Sequence, residues 1–172
     1  MSEHDPRCEG INDAKLLADV REYGWHVVRI LDKDDSQGWA FSVGLYENFQ
    51  HPEIVVFGLN EDVMHYLINA IGEAVREGKT FQVDGLYANL IESYACTFKP
   101  VNEIWYGDLL GYADWFYKEQ NYSVLQCFWP DTNSRFPWEP EFDENWLWAQ
   151  PLLFHDDPES ARAADLLRSR ES

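Results

Sequence analysis

The best polar cluster in the sequence is His51-Pro52-Glu53, where a histidine and a carboxylate stand directly before an apolar run. Pro52 fixes the backbone between a potential general base and a carboxylate that could orient it. One interpretation is a small hydrolase-like enzyme in which Asp131 or Gln126 supplies a third polar group near His51. The alternative is structural: His51 closes a loop, and Glu53 begins a strand by bonding to backbone. No serine or cysteine nucleophile pattern accompanies the cluster, which favours the structural alternative.

Metal and cofactor chemistry have weak support in this sequence. Glu61 and His65 share one face of a predicted helix, but the His-Glu-x-x-His pattern and further ligands at metal spacing are absent. Three cysteines, Cys8, Cys96 and Cys127, include no Cys-x-x-Cys pair, so neither a zinc knuckle nor a disulfide framework is expected. Gly-x-Gly-x-x-Gly, P-loop and Gly-x-Ser-x-Gly motifs are also absent. We therefore expect no cofactor and no metal.

Residues 129–148, here called the acidic Trp-rich segment, carry the strongest indication of partner binding. Aromatic side chains give large contact areas at low entropic cost, and carboxylates recruit Lys and Arg of a partner. The residues expected to bind a partner are Asp131, Glu139, Glu141, Asp143, Glu144, Trp146 and Trp148. Alternatively, the tryptophans plug the end of a sheet and Asp131 caps a turn; Trp129 and Trp138 favour this structural interpretation.

Net charge restricts the classes of partner. Asp and Glu number 31 against 13 Lys and Arg, which gives a formal charge of −18. Such a field repels nucleic acid and anionic lipid, and it attracts basic proteins. We therefore expect a basic protein partner, with no direct contact to nucleic acid or membrane. The alternative is that the acidity only keeps the protein soluble.

Hydrophobic periodicity and turn residues predict an α+β protein with a mostly antiparallel sheet, two to three packed helices and a single domain. Helices are predicted over 13–23, 61–77 and 102–120, with a possible break at Gly111; strands are predicted over 25–31, 39–45, 53–59, 80–83, 88–92, 94–101 and 122–129. Strands 25–31 and 39–45 are expected to pair as a hairpin, and 53–59 is apolar enough to be central.

Composition also predicts the domain boundaries and the compartment. We expect a flexible arm over 1–10, one α+β domain over 11–154, and a peripheral tail or short helix over 155–172, capped by Asp157. No run of about 18 apolar residues occurs, so a transmembrane helix is not expected. The N-terminal residues lack the pattern of a signal peptide, which favours a cytoplasmic protein.

Several short segments, taken in order, resemble one protein family. They are GWHVV at 24–28 followed by FSVGL at 41–45, HPE at 51–53 leading into VVFGL at 55–59, VLQ at 124–126, WPD at 129–131, FPW at 136–138 and QPLL at 150–153. The ensemble resembles the domain-of-unknown-function 4262 family over residues 23–154. Phe41 stands where that family usually has tyrosine. The resemblance implies a bacterial cytosolic protein, in some cases encoded beside a secreted toxin, and it implies no activity.

Three functional hypotheses follow from these features. The first is an immunity protein that neutralises a basic bacterial toxin by occluding its active site, since the acidic Trp-rich segment accompanies a strong negative charge and no catalytic motif. The second is the small hydrolase-like enzyme, with His51, Glu53 and Asp131 as its alternative catalytic residues. The third is a nucleic-acid mimic that presents carboxylates as surrogate phosphates. The sequence favours binding over catalysis.

Overall fold

The computed structural model describes residues 13–30, 38–118 and 120–163. Its strands are β1 (His26–Ile30), β2 (Trp39–Val43), β3 (Glu53–Phe57), β4 (Leu86–Ile91), β5 (Tyr94–Pro100) and β6 (Val124–Phe128). Its α-helices are α1 (Asp13–Glu22), α2 (Leu45–Phe49), α3 (Glu61–Arg76), α4 (Tyr106–Leu109), α5 (Gly111–Tyr117) and α6 (Pro158–Ala161), and two short 3-10 helices span Glu103–Trp105 and Glu144–Trp146.

All six strands form one sheet in the order β1-β2-β3-β6-β5-β4. Neighbouring strands are antiparallel except β3 and β6, which pair in parallel with Glu53 opposite Val124 and Val56 opposite Cys127. The predicted α+β class with a mostly antiparallel sheet is therefore confirmed. The predicted pairing of β1 with β2 is also confirmed, and β3 is central, with all five of its residues buried.

Alternate residues of the central strands face two separate hydrophobic cores, as the two-residue period of a strand requires. On one face, Ile54 and Val56 pack in a cluster with the apolar stripe of α3, which is Met64, Leu67, Ile68, Ile71 and Val75. On the other face, Val55 and Phe57 belong to a cluster with residues of α1, α4 and α5, among them Leu16, Leu109 and Tyr117. The sheet thus lies between two helical layers.

Helix α3 has the start and end signals that its sequence predicts. The Asn60 side chain accepts a hydrogen bond of 2.8 Å from the Asp62 amide, and Gly78 follows the helix with φ +102°. Gly72 lies inside the helix for a packing reason. A Cβ atom there would stand 2.5 Å from the Trp25 ring, so glycine lets the indole lie directly against the helix backbone.

Three local differences from the sequence-based expectation have physical causes. Residues 80–83 form no strand; they lie in the connection between α3 and β4, and only Phe81 among them is buried. Helix α2 was not predicted, since a five-residue helix is too short for a periodic signal. The predicted helix over 102–120 is divided at Leu110, one residue before the expected break, and Gly111 begins α5.

Part of the C-terminal tail packs on the sheet domain. Asp157 caps α6 by accepting a hydrogen bond of 2.8 Å from the Ser160 amide. The Leu152 amide donates to the Ala161 carbonyl at 2.6 Å, and Ala161 and Ala163 are fully buried. The predicted arm over 1–10, Cys8 and the rest of the tail lie outside the described residues. Within the described ranges, no helix is long and apolar enough to cross a membrane.

Candidate functional site

Glu53 lies at the centre of a buried hydrogen-bond network that holds α2 against the sheet. Its carboxylate accepts five hydrogen bonds, donated by the hydroxyls of Ser42 (2.6 Å) and Tyr117 and by the backbone amides of Gly44 (2.9 Å), Leu45 (3.2 Å) and Tyr46 (3.1 Å). The amide donors belong to the beginning of α2, where backbone N–H groups have no partner within the helix. Glu53 therefore satisfies the N-terminus of this helix.

Burial decides the proton affinity of Glu53. Complete burial raises the pKa of the Glu53 carboxyl, and hydrogen bonds from Ser42, Tyr117 and the backbone oppose only part of that rise. The hydrogen bonds found for its carboxylate among the described residues do not include His51. The predicted pairing of a base with an orienting carboxylate is thus replaced by a structural network.

His51 uses both ring nitrogens to fasten a loop to the sheet. Its Nδ1 atom lies 2.9 Å from the Pro52 carbonyl oxygen, and its Nε2 atom accepts a hydrogen bond of 3.0 Å from the Phe81 amide. The proton therefore resides on Nδ1 in the neutral ring. Burial lowers the pKa of His51, which favours this neutral form. An imidazole engaged in this way holds the loop at Phe81 and is not poised to accept a substrate proton.

Asp131 and Gln126 also have partners of their own. The Asp131 carboxylate accepts hydrogen bonds from the amides of Asn133 (2.9 Å), Arg135 (3.0 Å) and Asp143 (2.9 Å), which fastens both ends of one loop. Desolvation raises the pKa of Asp131, but these amides together hold it below its ordinary value. Gln126 donates to the Pro151 carbonyl at 2.8 Å. The described contacts do not bring these side chains together with His51 in one site.

In the acidic Trp-rich segment, Trp129 and Trp138 take structural positions. Trp129 is buried and donates from Nε1 to the Phe57 carbonyl at 2.8 Å. Its backbone exchanges two hydrogen bonds, of 3.0 and 2.9 Å, with the side-chain amide of Gln150. Trp138 stacks on Phe136 with ring centroids 5.3 Å apart. These contacts close the end of the sheet.

Trp146 and Trp148 face outward. Their side chains are 43% and 46% exposed, and their ring centroids lie 6.0 Å apart. Trp146 also meets the buried Trp129 edge-on at 6.4 Å, which ties the exposed pair to the core. Two half-exposed indoles held side by side form an aromatic surface available to another molecule.

A groove of about 360 Å³ adjoins this pair. Trp129, Trp146, Ile91 and Tyr94 supply its aromatic and aliphatic walls, so most of its lining is apolar. Asn60, which caps α3, also lines it. The groove is thus built by the loops that follow β3 and β6 and by the hairpin of β4 and β5. These elements are fixed by the sheet, so the groove is part of the folded domain.

The acidic residues of the segment divide into two groups. Three of them serve the loop itself: Asp131 as above, Glu139 by accepting the Phe136 amide at 2.6 Å, and Asp143 by accepting the Asn145 amide at 3.0 Å. Two of them, Glu141 and Glu144, are exposed, and Glu141 forms an ion pair of 2.7 Å with Arg135. Because the segment contains five carboxylates and one arginine, it carries a net charge of −4.

Sequence reasoning missed the pair formed by Asp19 and His26. Oδ2 of Asp19 lies 2.6 Å from Nδ1 of His26, across the turn that joins α1 to β1. The signal was weak: an acid one turn before the end of a helix, followed seven residues later by a histidine at the start of a strand. Only the tight reversal at Gly24, with φ +116°, brings the two side chains together.

Metal chemistry gains no support from the described part of the chain. No group of three or more His, Cys, Asp or Glu side chains there could hold an ion. Glu61 pairs with Arg29 at 2.9 Å, and His65 contacts Asn69 at 3.4 Å. Glu61 and His65 therefore share one face of α3, but each contacts a different residue.

The fold and this surface define an α+β domain with an aromatic groove at one end of its sheet. The family described as "Domain of unknown function (DUF4262)" matches residues 19–143, which is most of the chain, so the chain belongs to that family. This finding confirms the resemblance seen in the sequence. A search of curated proteins and a search of solved structures each found no match.

Proposed function

We propose that this protein is a binding module that captures a cationic segment of a partner protein on one defined surface. That surface, here called the indole face, consists of Trp146, Trp148, the adjoining groove and the exposed carboxylates of Glu141 and Glu144. The observation that carries the proposal is the exposed pair of indoles, 43% and 46% accessible with centroids 6.0 Å apart, held beside an apolar groove.

Charge complementarity selects the partner. A Lys or Arg side chain over the face of a tryptophan gains about 0.5–2 kcal/mol, depending on how far the pair is desolvated. Glu144 can pair with basic groups of the partner, as can Glu141 when it leaves its ion pair with Arg135, and arginine does so with two parallel hydrogen bonds. An arginine-bearing segment therefore satisfies both the rings and the carboxylates of the indole face.

Long-range electrostatics favours the same class of partner. The formal charge of −18 accelerates encounter with a cationic protein, and this effect weakens as salt screens it. The indoles and the groove then supply the short-range contact that salt screens less. We expect the association rate to fall with ionic strength, while the dissociation rate depends mainly on Trp146 and Trp148.

More specifically, we propose that this binding module is an immunity protein whose partner is a basic toxin of the same cell. The indole face would occlude the toxin's active site, with carboxylates paired to the Arg and Lys that bind its substrate. A tagged copy purified from the native strain at low salt should then carry a stoichiometric basic protein with toxic activity. A copy that emerges alone under these conditions would argue against the immunity role.

The indole face can be tested with a simple probe, a fluorescently labelled octa-arginine peptide followed by anisotropy. Replacing both indoles in the variant W146A/W148A should raise the Kd for the peptide at least about tenfold, since roughly 1.4 kcal/mol of contact is lost. The control is Y66A, which removes an aromatic side chain that is 68% exposed on α3. An octa-glutamate peptide should not bind to any of these proteins.

The control variant separates a local site from general attraction to an acidic protein. If W146A/W148A and Y66A bind octa-arginine as tightly as the unchanged protein, the net charge alone explains binding and the proposal fails. The hydrolase-like and nucleic-acid-mimic alternatives stay predictions, and the separate partners of His51, Glu53 and Asp131 give the enzyme alternative no support.

A further inference from the structure

The walls of the groove beside Trp146 are mostly apolar. They are formed by Leu59, Ile91, Tyr94, Trp129, Pro130 and Trp146. Trp129 is buried and already donates its Nε1–H to the Phe57 carbonyl at 2.8 Å, so its indole offers a ligand no free hydrogen-bond donor. The volume of about 360 Å³ lies at the lower end of the range for ligand pockets, roughly 300–1,000 Å³. An apolar side chain is the group that gains most by entering it.

The polar side chains that line the groove are engaged within the protein. Asp131 supplies the carboxylate of the lining, and this group is buried and accepts three backbone amides of its own loop. The Asn60 side-chain oxygen accepts the Asp62 amide at 2.8 Å. The exposed carboxylates of Glu141 and Glu144 lie outside the lining. A partner's arginines therefore find their carboxylates beside the groove, and a different side chain of the partner can enter it.

The arrangement of the rings in the groove favours an aromatic occupant. Trp129 and Trp146 are inclined to each other by 76°, with ring centroids 6.4 Å apart, so two walls of the groove meet at nearly a right angle. A ring that enters this corner can stack on one indole while it directs its edge at the other, and aromatic pairs favour both arrangements. Tyr94 of the β4–β5 hairpin adds a third ring to the lining. An aliphatic side chain would gain burial without these ring contacts.

We infer that the groove receives an aromatic side chain of the partner's cationic segment, while arginines that flank this side chain contact Trp148 and Glu144. The inference rests on the proposed function and adds the identity of the residue that enters the groove. Charge complementarity commits the occupant to a basic protein, because the acidic Trp-rich segment around the groove contains five carboxylates and one arginine. A second copy of this chain, with its formal charge of −18, would be repelled from the same surface.

The test uses three unlabelled octapeptides of equal charge, each with seven arginines and one variable residue at the fourth position: phenylalanine, leucine or serine. Their Kd values are measured by calorimetry on the full chain. The phenylalanine peptide should bind at least about fivefold more tightly than the serine peptide and about threefold more tightly than the leucine peptide. Added salt should weaken all three alike and preserve these ratios, because screening acts on the charges that the peptides share.

Two tyrosine variants locate the preference in the groove. Y94A removes a ring of the lining and should reduce the phenylalanine-to-serine ratio to less than about twofold, with little effect on the serine peptide. Y66A removes a tyrosine that is 68% exposed outside the groove and should leave the ratio unchanged. If Y94A does not fold, I91A shortens another wall of the groove and should lower the same ratio.

Three results would overturn the inference. Equal binding of the phenylalanine and serine peptides would show that nothing enters the groove, and equal binding of the phenylalanine and leucine peptides would remove the preference for an aromatic ring. A ratio that Y94A and Y66A change equally would place the contact elsewhere. Octa-arginine contains no aromatic residue, so its binding to W146A/W148A tests the proposed function separately from the occupant of the groove.

Discussion

The Ser42 hydroxyl donates a hydrogen bond of 2.6 Å to the Glu53 carboxylate while its oxygen accepts one of 3.0 Å from the Ile54 amide. One side chain of β2 therefore connects the buried charge and the backbone of β3. The Tyr117 hydroxyl of α5 donates to the same carboxylate and accepts the Glu47 amide at 3.1 Å. This network joins the sheet to both α2 and α5, so its loss should lower the stability of the whole domain.

Replacing Glu53 by glutamine should destabilise the fold strongly. The glutamine NH₂ group would stand where two or three donors now point, and backbone amides at the start of α2 would lose their acceptor. We expect E53Q to lower the free energy of unfolding by about 2–4 kcal/mol in urea titrations. E47Q changes an exposed side chain on the same helix and should stay within about 0.5 kcal/mol. Similar midpoints for the two variants would refute the network's importance.

The raised pKa of Glu53 also determines whether its contribution to stability grows or shrinks as pH rises. A carboxyl whose pKa is higher in the folded than in the unfolded state stabilises the fold below its ordinary value of about 4.3. This contribution is lost as pH rises from there through the folded pKa. The stability advantage of the unchanged protein over E53Q should therefore shrink from pH about 4 upward. Urea midpoints of both proteins across this range check it, and an advantage that grows with pH would contradict the assignment.

A pair of glycine variants tests the packing of Trp25 on α3. Alanine is the better helix former, but at position 72 its Cβ would meet the Trp25 ring at 2.5 Å. G72A should therefore destabilise the protein by about 1–3 kcal/mol, as overpacking does. Position 111 has open space around it, so G111A should be neutral or stabilising by up to about 1 kcal/mol. Thermal unfolding of both variants measures the difference, and a stabilised G72A would show that the indole moves freely.

Long periodic elements of this fold were predictable from the sequence, and short ones were not. The apolar stripe of α3 predicts a helix and the apolar run of β3 predicts a strand, because many residues contribute to each pattern. Helix α2 depends instead on a carboxylate eight residues beyond its first residue in the chain, which no local pattern reveals. Residues 80–83 have strand-like composition, but Phe81 is held by the His51 ring and not by a ladder of backbone bonds.

The candidate site shows the same division. Trp146 and Trp148 are exposed, and they lie in the acidic Trp-rich segment that the sequence predicts to bind a partner. Asp131 takes the turn-capping role that the sequence offered as one alternative. The roles of Glu139 and Asp143 were not predicted, since a carboxylate that accepts backbone amides and one that faces a partner look alike in sequence. The two indoles are distinguished by position: Trp146 is the last residue of the 3-10 helix Glu144–Trp146, and Trp148 lies two residues after it.

The most direct test of the indole face compares two variants of equal charge. E141Q/E144Q removes the two exposed carboxylates of the face, and E22Q/E77Q removes two exposed carboxylates on α1 and at the end of α3. Both variants are two charges less negative than −18. The Kd for octa-arginine should rise at least about fivefold in E141Q/E144Q and change by less than about twofold in E22Q/E77Q. Equal weakening in the two variants would contradict a local site and leave only the overall charge.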